Sequence, residues 1–193
     1  IVDSCCDLPV ETRNQENITP VPLYITVGDK SYPDDGTIDT EKLVSEMRRC
    51  SSPPKTACPS PGEFAQAMSG SADCFVVTMS RHVSGTYQRA ASGAPIKSGT
   101  GRVHVFDSKS ASSGQSLIVH MLHGLIKAGA EFDEIVHKTE AFITEMRTYF
   151  VLESLDNLIK NGRMNRLVGQ VASILNMRPI MGADDGKIVL VEK

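Results

Sequence analysis

The sequence predicts an α/β protein: a parallel sheet with helices on both faces, followed by the start of a second, α+β domain. Three observations carry this. Cys74-Phe75-Val76-Val77-Thr78-Met79 and Arg102-Val103-His104-Val105-Phe106 are continuous apolar-rich runs of strand length, as expected of strands covered on both faces. Between and after them the hydrophobic period changes to that of helices. Near Tyr149 the rhythm breaks, and the tail of the chain reads as a hairpin, which fits poorly into a parallel sheet.

In chain order, Ile1-Val2 reads as the end of a strand entering a loop at Asp3-Ser4, so further residues are expected ahead of Ile1. Asp7-Leu8-Pro9 opens a short helix, with Pro at an early position where no amide is required. The β-formers from Val21 to Val27 predict one strand, with Pro22 marking an edge. Gly28-Asp29 is a turn, and Lys30-Ser31-Tyr32 returns as a hairpin. Asp39 to Arg49 is a helix with Leu43, Val44 and Met47 on one face. Ser51-Ser52-Pro53-Pro54 opens a rigid loop that contains Thr56. Gly85 to Ala91 is helical, and Asp107-Ser108 leads into a long helix through Lys127. Phe132, Ile135, Val136, Phe142, Ile143 and Met146 mark an amphipathic helix. The second domain is placed at residues 148–193, after a first domain of residues 1–147. It comprises a short strand at Tyr149-Phe150-Val151, a helix from Glu153 to Asn161 closed by Gly162, a further helix from Arg166 to Leu175, and a hairpin turning at Asp184-Asp185-Gly186.

Composition excludes several classes. A net charge of −3 gives no electrostatic footprint for a nucleic acid, whose phosphates demand a basic excess. No apolar run of about 18 residues occurs, so no membrane span is predicted. The five cysteines, Cys5, Cys6, Cys50, Cys58 and Cys74, are odd in number and form no C-x-x-C pair. That argues against a disulfide framework and a zinc site, and reduced thiols in a cytoplasmic protein are expected. Cys5-Cys6 has two readings, a redox pair or small side chains filling a tight loop.

Parallel α/β sheets bind ligands beyond the carboxyl ends of their strands. Here that edge is lined by Asp3-Ser4-Cys5, by Ser80-Arg81-His82-Val83-Ser84 and by Asp107-Ser108, joined by the loop Lys55-Thr56-Ala57-Cys58-Pro59-Ser60. These loops carry many hydroxyls and few general bases. Ser84 is an N-cap candidate, and Gly85 allows a ligand close to a helix start, where free amides and the dipole favour an anion. The same residues also read as an ordinary helix start. Thr56 is aimed by a proline-rigid loop or only caps a turn. His82 can stabilise an anion when protonated. Asp3 and Asp107 either tie loop amides or serve a metal. His120 and His123 share a helix face but lack a third ligand at a known spacing. Arg163, just past a helix end, either complements the dipole or reaches an anion or partner. No G-x-S-x-G, G-x-x-x-x-G-K-[ST] or G-x-G-x-x-G motif is present.

Taken together, Asp3-Ser4 with Asp7-Leu8-Pro9, Thr56-Ala57-Cys58-Pro59-Ser60-Pro61-Gly62 and Ser84-Gly85-Thr86-Tyr87-Gln88 resemble the DegV family. So do Val105-Phe106-Asp107-Ser108-Lys109-Ser110, Thr148-Tyr149-Phe150-Val151-Leu152 and Gly162-Arg163-Met164. The resemblance runs along the whole chain. It implies a two-domain α/β protein that holds a long-chain fatty acid such as palmitate between its domains. Carried over by position, Thr56 and Ser84 hydrogen-bond the carboxylate, with Ser4, Gly85 and His82 as further ligand-loop residues. It also implies a carrier with no cofactor, which presents the lipid to a separate fatty-acid kinase for acyl-phosphate formation, with Arg163 at the docking surface. Ala57 and Cys58 replace the family's usual Ser and Gln, and Asn161 stands where a second Gly is usual. The family also continues past the equivalent of Lys193, so the second domain is expected to be incomplete here. Two other readings stay open: a small-anion or metal-dependent phosphoryl enzyme using Asp3 and Asp107, and a ligand-free interaction domain.

Overall fold

A computed structural model of the chain describes residues 1–13, 17–70, 72–164 and 178–192. Strands β1 (Val2–Asp3), β2 (Pro20–Val21), β6 (Cys74–Thr78) and β7 (Val103–Asp107) form a parallel sheet in the order β2-β1-β6-β7. Successive strand side chains point to opposite faces, so the adjacent Val76 and Val77 enter different cores. Val77 packs with Val2 and Phe106 under helices α5 (Ser113–Lys127) and α6 (Phe132–Glu145), through Ile118, Val119, Leu122, Ile135 and Ile143. Val76 packs on the other side with Phe64 and Met68, and with Ala90 of α4 (Thr86–Gly93); Phe64 belongs to α3 (Pro61–Ala67). Helices thus cover both faces, and the apolar run is continuous because each face has its own core.

Helices α3 and α4 meet closely at Gly93. A β-carbon there would lie 2.6 Å from the Pro61 carbonyl oxygen and 3.1 Å from the Ala65 amide nitrogen, both backbone atoms that cannot swing away. Gly93→Ala is therefore expected to destabilise the fold by about 1–3 kcal/mol through overpacking. Urea unfolding checks this, and an unchanged midpoint would mean that the two helices separate without cost.

The predicted strand from Val21 to Val27 is two strands in two sheets. Pro22 has no amide to continue a ladder, and the next amide, Leu23 N–H, donates to Ser4 Oγ at 3.0 Å. The chain swings out of the parallel sheet there. β3 (Tyr24–Val27), β4 (Lys30–Pro33) and β5 (Lys55–Ala57) then form an antiparallel sheet in the order β4-β3-β5. Helix α2 (Thr40–Arg49), capped by Asp39, is tied to it by Glu46, which accepts from Tyr32 OH and Lys30 Nζ. Thr56 therefore sits on a strand and not in a loop.

β8 (Tyr149–Phe150), β9 (Ile180–Asp184) and β10 (Lys187–Glu192) make a third sheet, antiparallel, in the order β10-β9-β8. It has its own small core around Met164 and Met181. The β9–β10 hairpin turns through Asp185 (φ 45°) and Gly186 (φ 78°), the left-handed pair that a tight two-residue hairpin requires. Helix α7 (Asp156–Lys160) closes at Gly162, with Gly162 N–H donating to Ile159 O and Arg163 N–H to Leu158 O, both at 2.9 Å. That closure fixes the point from which Arg163 departs. A short helix α1 (Val10–Arg13) follows Pro9 as expected. The helix expected from Arg166 to Leu175 lies outside the described residues. Among the described residues no helix is long and apolar enough to cross a membrane.

Candidate functional site

Thr56 stands on β5 opposite Ile25. The chain after it is held by a reciprocal cap at the start of α3: Ser60 N–H donates to Glu63 Oε2 at 2.8 Å, and Glu63 N–H donates to Ser60 Oγ at 3.2 Å. Tyr24 OH donates to Glu63 Oε1 at 2.6 Å, which ties this cap back to β3. The Tyr24 bond, aided by Ser60, holds the Glu63 carboxyl below the usual range. The proline-rich motif is thus a helix start that carries Pro61 in its first turn.

Ser84 lies one residue before the helix cap, which is Gly85. Its hydroxyl still serves the helix start: Thr86 N–H donates to Ser84 Oγ at 3.3 Å, and the two hydroxyls lie 2.7 Å apart. A β-carbon at Gly85 would come within 3.3 Å of Cys58 Sγ, so the Thr56 and Ser84 segments touch through Cys58 and Gly85.

Arg163 joins them. Its Nη2 donates to Thr56 Oγ1 at 3.2 Å, its Nε to the Val83 carbonyl at 3.2 Å and its Nη1 to the Asn161 carbonyl at 3.3 Å. Asn161 Nδ2 donates to the Pro54 carbonyl at 3.1 Å beside it. All three acceptors of the guanidinium are neutral, and among the described residues no carboxylate pairs with it. A half-buried cation bonded to the Thr56 hydroxyl and to the carbonyl next to Ser84 can take an anion. From the sequence Arg163 reads as a helix-end cation that complements the dipole or reaches an anion or partner; nothing in local spacing links it to Thr56.

Ser4 and His82, the other expected ligand-loop residues, have partners of their own. The Ser4 hydroxyl is taken by Leu23 N–H, at the junction of the first two sheets. His82 is exposed, and its backbone N–H donates to Ser80 Oγ at 3.2 Å. Among the described residues its ring makes no hydrogen bond.

The strand-end aspartates tie loops. Asp3 is fully buried and accepts from Met79 N–H at 2.7 Å, Gln115 Nε2 at 3.0 Å and Cys5 N–H at 3.1 Å. Asp107 Oδ1 accepts from the Arg81 and Lys109 amides, each at 3.1 Å. Its Oδ2 lies 2.9 Å from Arg81 Nε, an ion pair without hydrogen-bond alignment. Burial, reinforced by the Asp3 charge, pushes the Cys5 thiol up to about 12, and burial pushes Cys6 up to about 11. Both stay protonated near neutrality, which disfavours the redox reading of the pair. Among the described residues, no group of three or more His, Cys, Asp or Glu is placed to hold a metal ion.

The sequence model of the DegV family matches residues 1–193. A DegV domain-containing protein of Streptococcus pneumoniae is 34% identical over 200 residues, covering 100% of this chain and 71% of the relative. Among solved structures, a DegV-family protein of Ruminococcus gnavus with vaccenic acid superposes with a TM-score of 0.91 at 36% identity, over 99% of this chain and 70% of that one. The fatty acid kinase (Fak) B3 protein of Streptococcus pneumoniae, loaded with linoleic acid, superposes with a TM-score of 0.85 at 32% identity, over 100% of this chain and 70% of that one. Fold, motifs and relatives agree: this chain belongs to the DegV family.

Proposed function

We propose that this chain binds one long-chain fatty acid by its carboxylate and presents it to a separate fatty-acid kinase, as a cytoplasmic carrier and not as a catalyst. One observation carries the head-group assignment: Arg163 bridges Thr56 Oγ1 and the Val83 carbonyl, next to Ser84, while no described carboxylate neutralises it. Two hydroxyls and a guanidinium suit a carboxylate. Arg163, expected at a docking surface, is thereby also a head-group residue. Related DegV structures holding vaccenic acid and linoleic acid support the choice of ligand, and the Fak B3 likeness supports the kinase partner. The division into residues 1–147 and 148–193 belongs to the same proposal, supported by the separate core of the third sheet.

The energetics favour a carrier built this way. Burying an acyl tail is worth about 0.8 kcal/mol per CH₂, or on the order of 10 kcal/mol for a long chain before association costs. The tail supplies affinity, so the head needs only a few polar groups. The phosphoryl-enzyme reading is weakened, because Asp3 is wholly engaged and Asp107 largely so by loop amides and Arg81.

Native mass spectrometry after lipid extraction and reloading with palmitate tests the proposal. One fatty acid per chain is expected. Thr56→Ala with Ser84→Ala is expected to weaken retention on the order of a hundredfold, at about 1–1.5 kcal/mol per lost hydroxyl, with little change in the unfolding midpoint. Undiminished retention in the double variant would remove Thr56 and Ser84 from the site.

A further inference from the structure

The turn of the β9–β10 hairpin is pinned against the loop that carries Ser84, and one residue makes the joint. Ser80 is 1% exposed, and all of its polar atoms are used. Its Oγ donates to the Gly186 carbonyl at 2.7 Å and accepts from His82 N–H at 3.2 Å. Its own N–H donates to Ser110 O at 2.8 Å, and its carbonyl accepts from the Val83 and Ser84 amides, both at 3.0 Å. Lys109 Nζ reaches Asp185 Oδ1 at 2.6 Å beside it. The fit leaves no spare room: a β-carbon at Gly186 would lie 2.5 Å from Ser80 Oγ and 3.1 Å from Lys109 Cα, at a φ of +78°.

Followed outward, these bonds form a chain of supports. The hairpin turn holds Ser80, Ser80 holds the Val83 and Ser84 amides, the Val83 carbonyl orients Arg163, and Arg163 reaches Thr56. We infer that Ser80 is a positioning residue of the carboxylate site and that the β9–β10 turn is the strut that holds it. Ser80 touches none of the head-group atoms itself. It fixes the height of the loop that supplies one hydroxyl and aims the guanidinium, and a binding constellation tolerates displacements of only about half an ångström. On this reading the joint acts on the head group and not on the acyl tail. The strut therefore sets the preference for a carboxylate head over a neutral one, and leaves the gain from tail burial alone. This rests on the fatty-acid reading above.

The test compares palmitate with hexadecanol, which has the same tail and an uncharged head, on the whole chain. Ser80→Ala and Gly186→Ala are each expected to weaken palmitate about tenfold while hexadecanol changes by less than about twofold. In both variants the carboxyl resonance of bound [1-¹³C]palmitate should move toward its position in water. Should Gly186→Ala fail to fold, Ser80→Ala and Asp185→Asn carry the test. Equal loss of both ligands would make Ser80 merely structural and overturn the inference, as would wild-type affinity for palmitate. Thr56→Ala with Ser84→Ala separates the two claims. Normal palmitate binding in that variant sinks the head-group site and the strut together. Loss there, with none in Ser80→Ala, sinks the strut alone.

Discussion

Asp3→Ala is expected to destabilise the fold by about 2–6 kcal/mol, because two buried donors, Met79 N–H and Gln115 Nε2, lose their acceptor at once at about 1–3 kcal/mol each, and the half-buried Cys5 N–H loses it with them. The donors come from three places: Met79 N–H at the end of β6, Gln115 Nε2 on α5 and Cys5 N–H after β1. Asp3 is therefore a knot between strand, helix and loop. Set against a typical domain stability of about 5–15 kcal/mol, the loss leaves little reserve. Urea unfolding measures it, and a loss below about 1 kcal/mol would mean that water replaces the carboxylate. Asp3→Asn keeps the shape but turns an NH₂ toward an N–H, so an intermediate loss is expected. The charge adds a pH signature. Burial pushes the Asp3 carboxyl above its usual range, against the opposing pull of its bonds from Gln115, Met79 and Cys5. The folded state thus holds this proton at a higher pH than the unfolded chain does. Its contribution is fully present below the unfolded value, about 3.9, and is lost as pH rises through the raised folded value. The stability advantage of the unaltered chain over Asp3→Asn should accordingly shrink over that rise and then level off. A growing advantage would mean that the bonds outweigh burial.

What the sequence makes legible, and what it hides, has a physical pattern. Val76 and Val77 announce a strand buried on both faces, because each side chain meets a separate core. The helices around Ile118, Ile135 and Ile143 are equally readable from their period. The second sheet is not legible as a sheet. Its strands are three or four residues long, and Lys55, Thr56 and Ala57 are all exposed, so no alternation marks them. Pro22 reads as an edge signal in the sequence, yet it is the point where the chain leaves one sheet for another. In the site, hydroxyl-rich loops at strand ends point to an anion, and the segments that carry Thr56 and Ser84 touch through Cys58 and Gly85. The bond that organises them joins residues 107 positions apart. Neither helical nor strand periodicity reports on a contact of that range, and Ser80 is hidden for the same reason.

Arg163 shows why residue type matters more there than charge. Arg163→Met is expected to weaken fatty-acid binding by about 2–3 kcal/mol, on the order of a hundredfold, as the charge facing the carboxylate disappears. Arg163→Lys should recover little of it. The guanidinium spans three acceptors with three separate nitrogens, Nε to Val83 O, Nη1 to Asn161 O and Nη2 to Thr56 Oγ1. A lysine ammonium is a single point on a flexible stem and cannot hold the Thr56 strand and the Val83 carbonyl at once. Palmitate titration of both variants, with unfolding midpoints measured alongside, decides the matter. Wild-type affinity in Arg163→Lys would mean that charge alone recruits the carboxylate and that the fork is incidental. Wild-type affinity in Arg163→Met would place the head group away from Thr56, because the residue that links the two hydroxyl segments would then contribute nothing to the ligand they are proposed to hold.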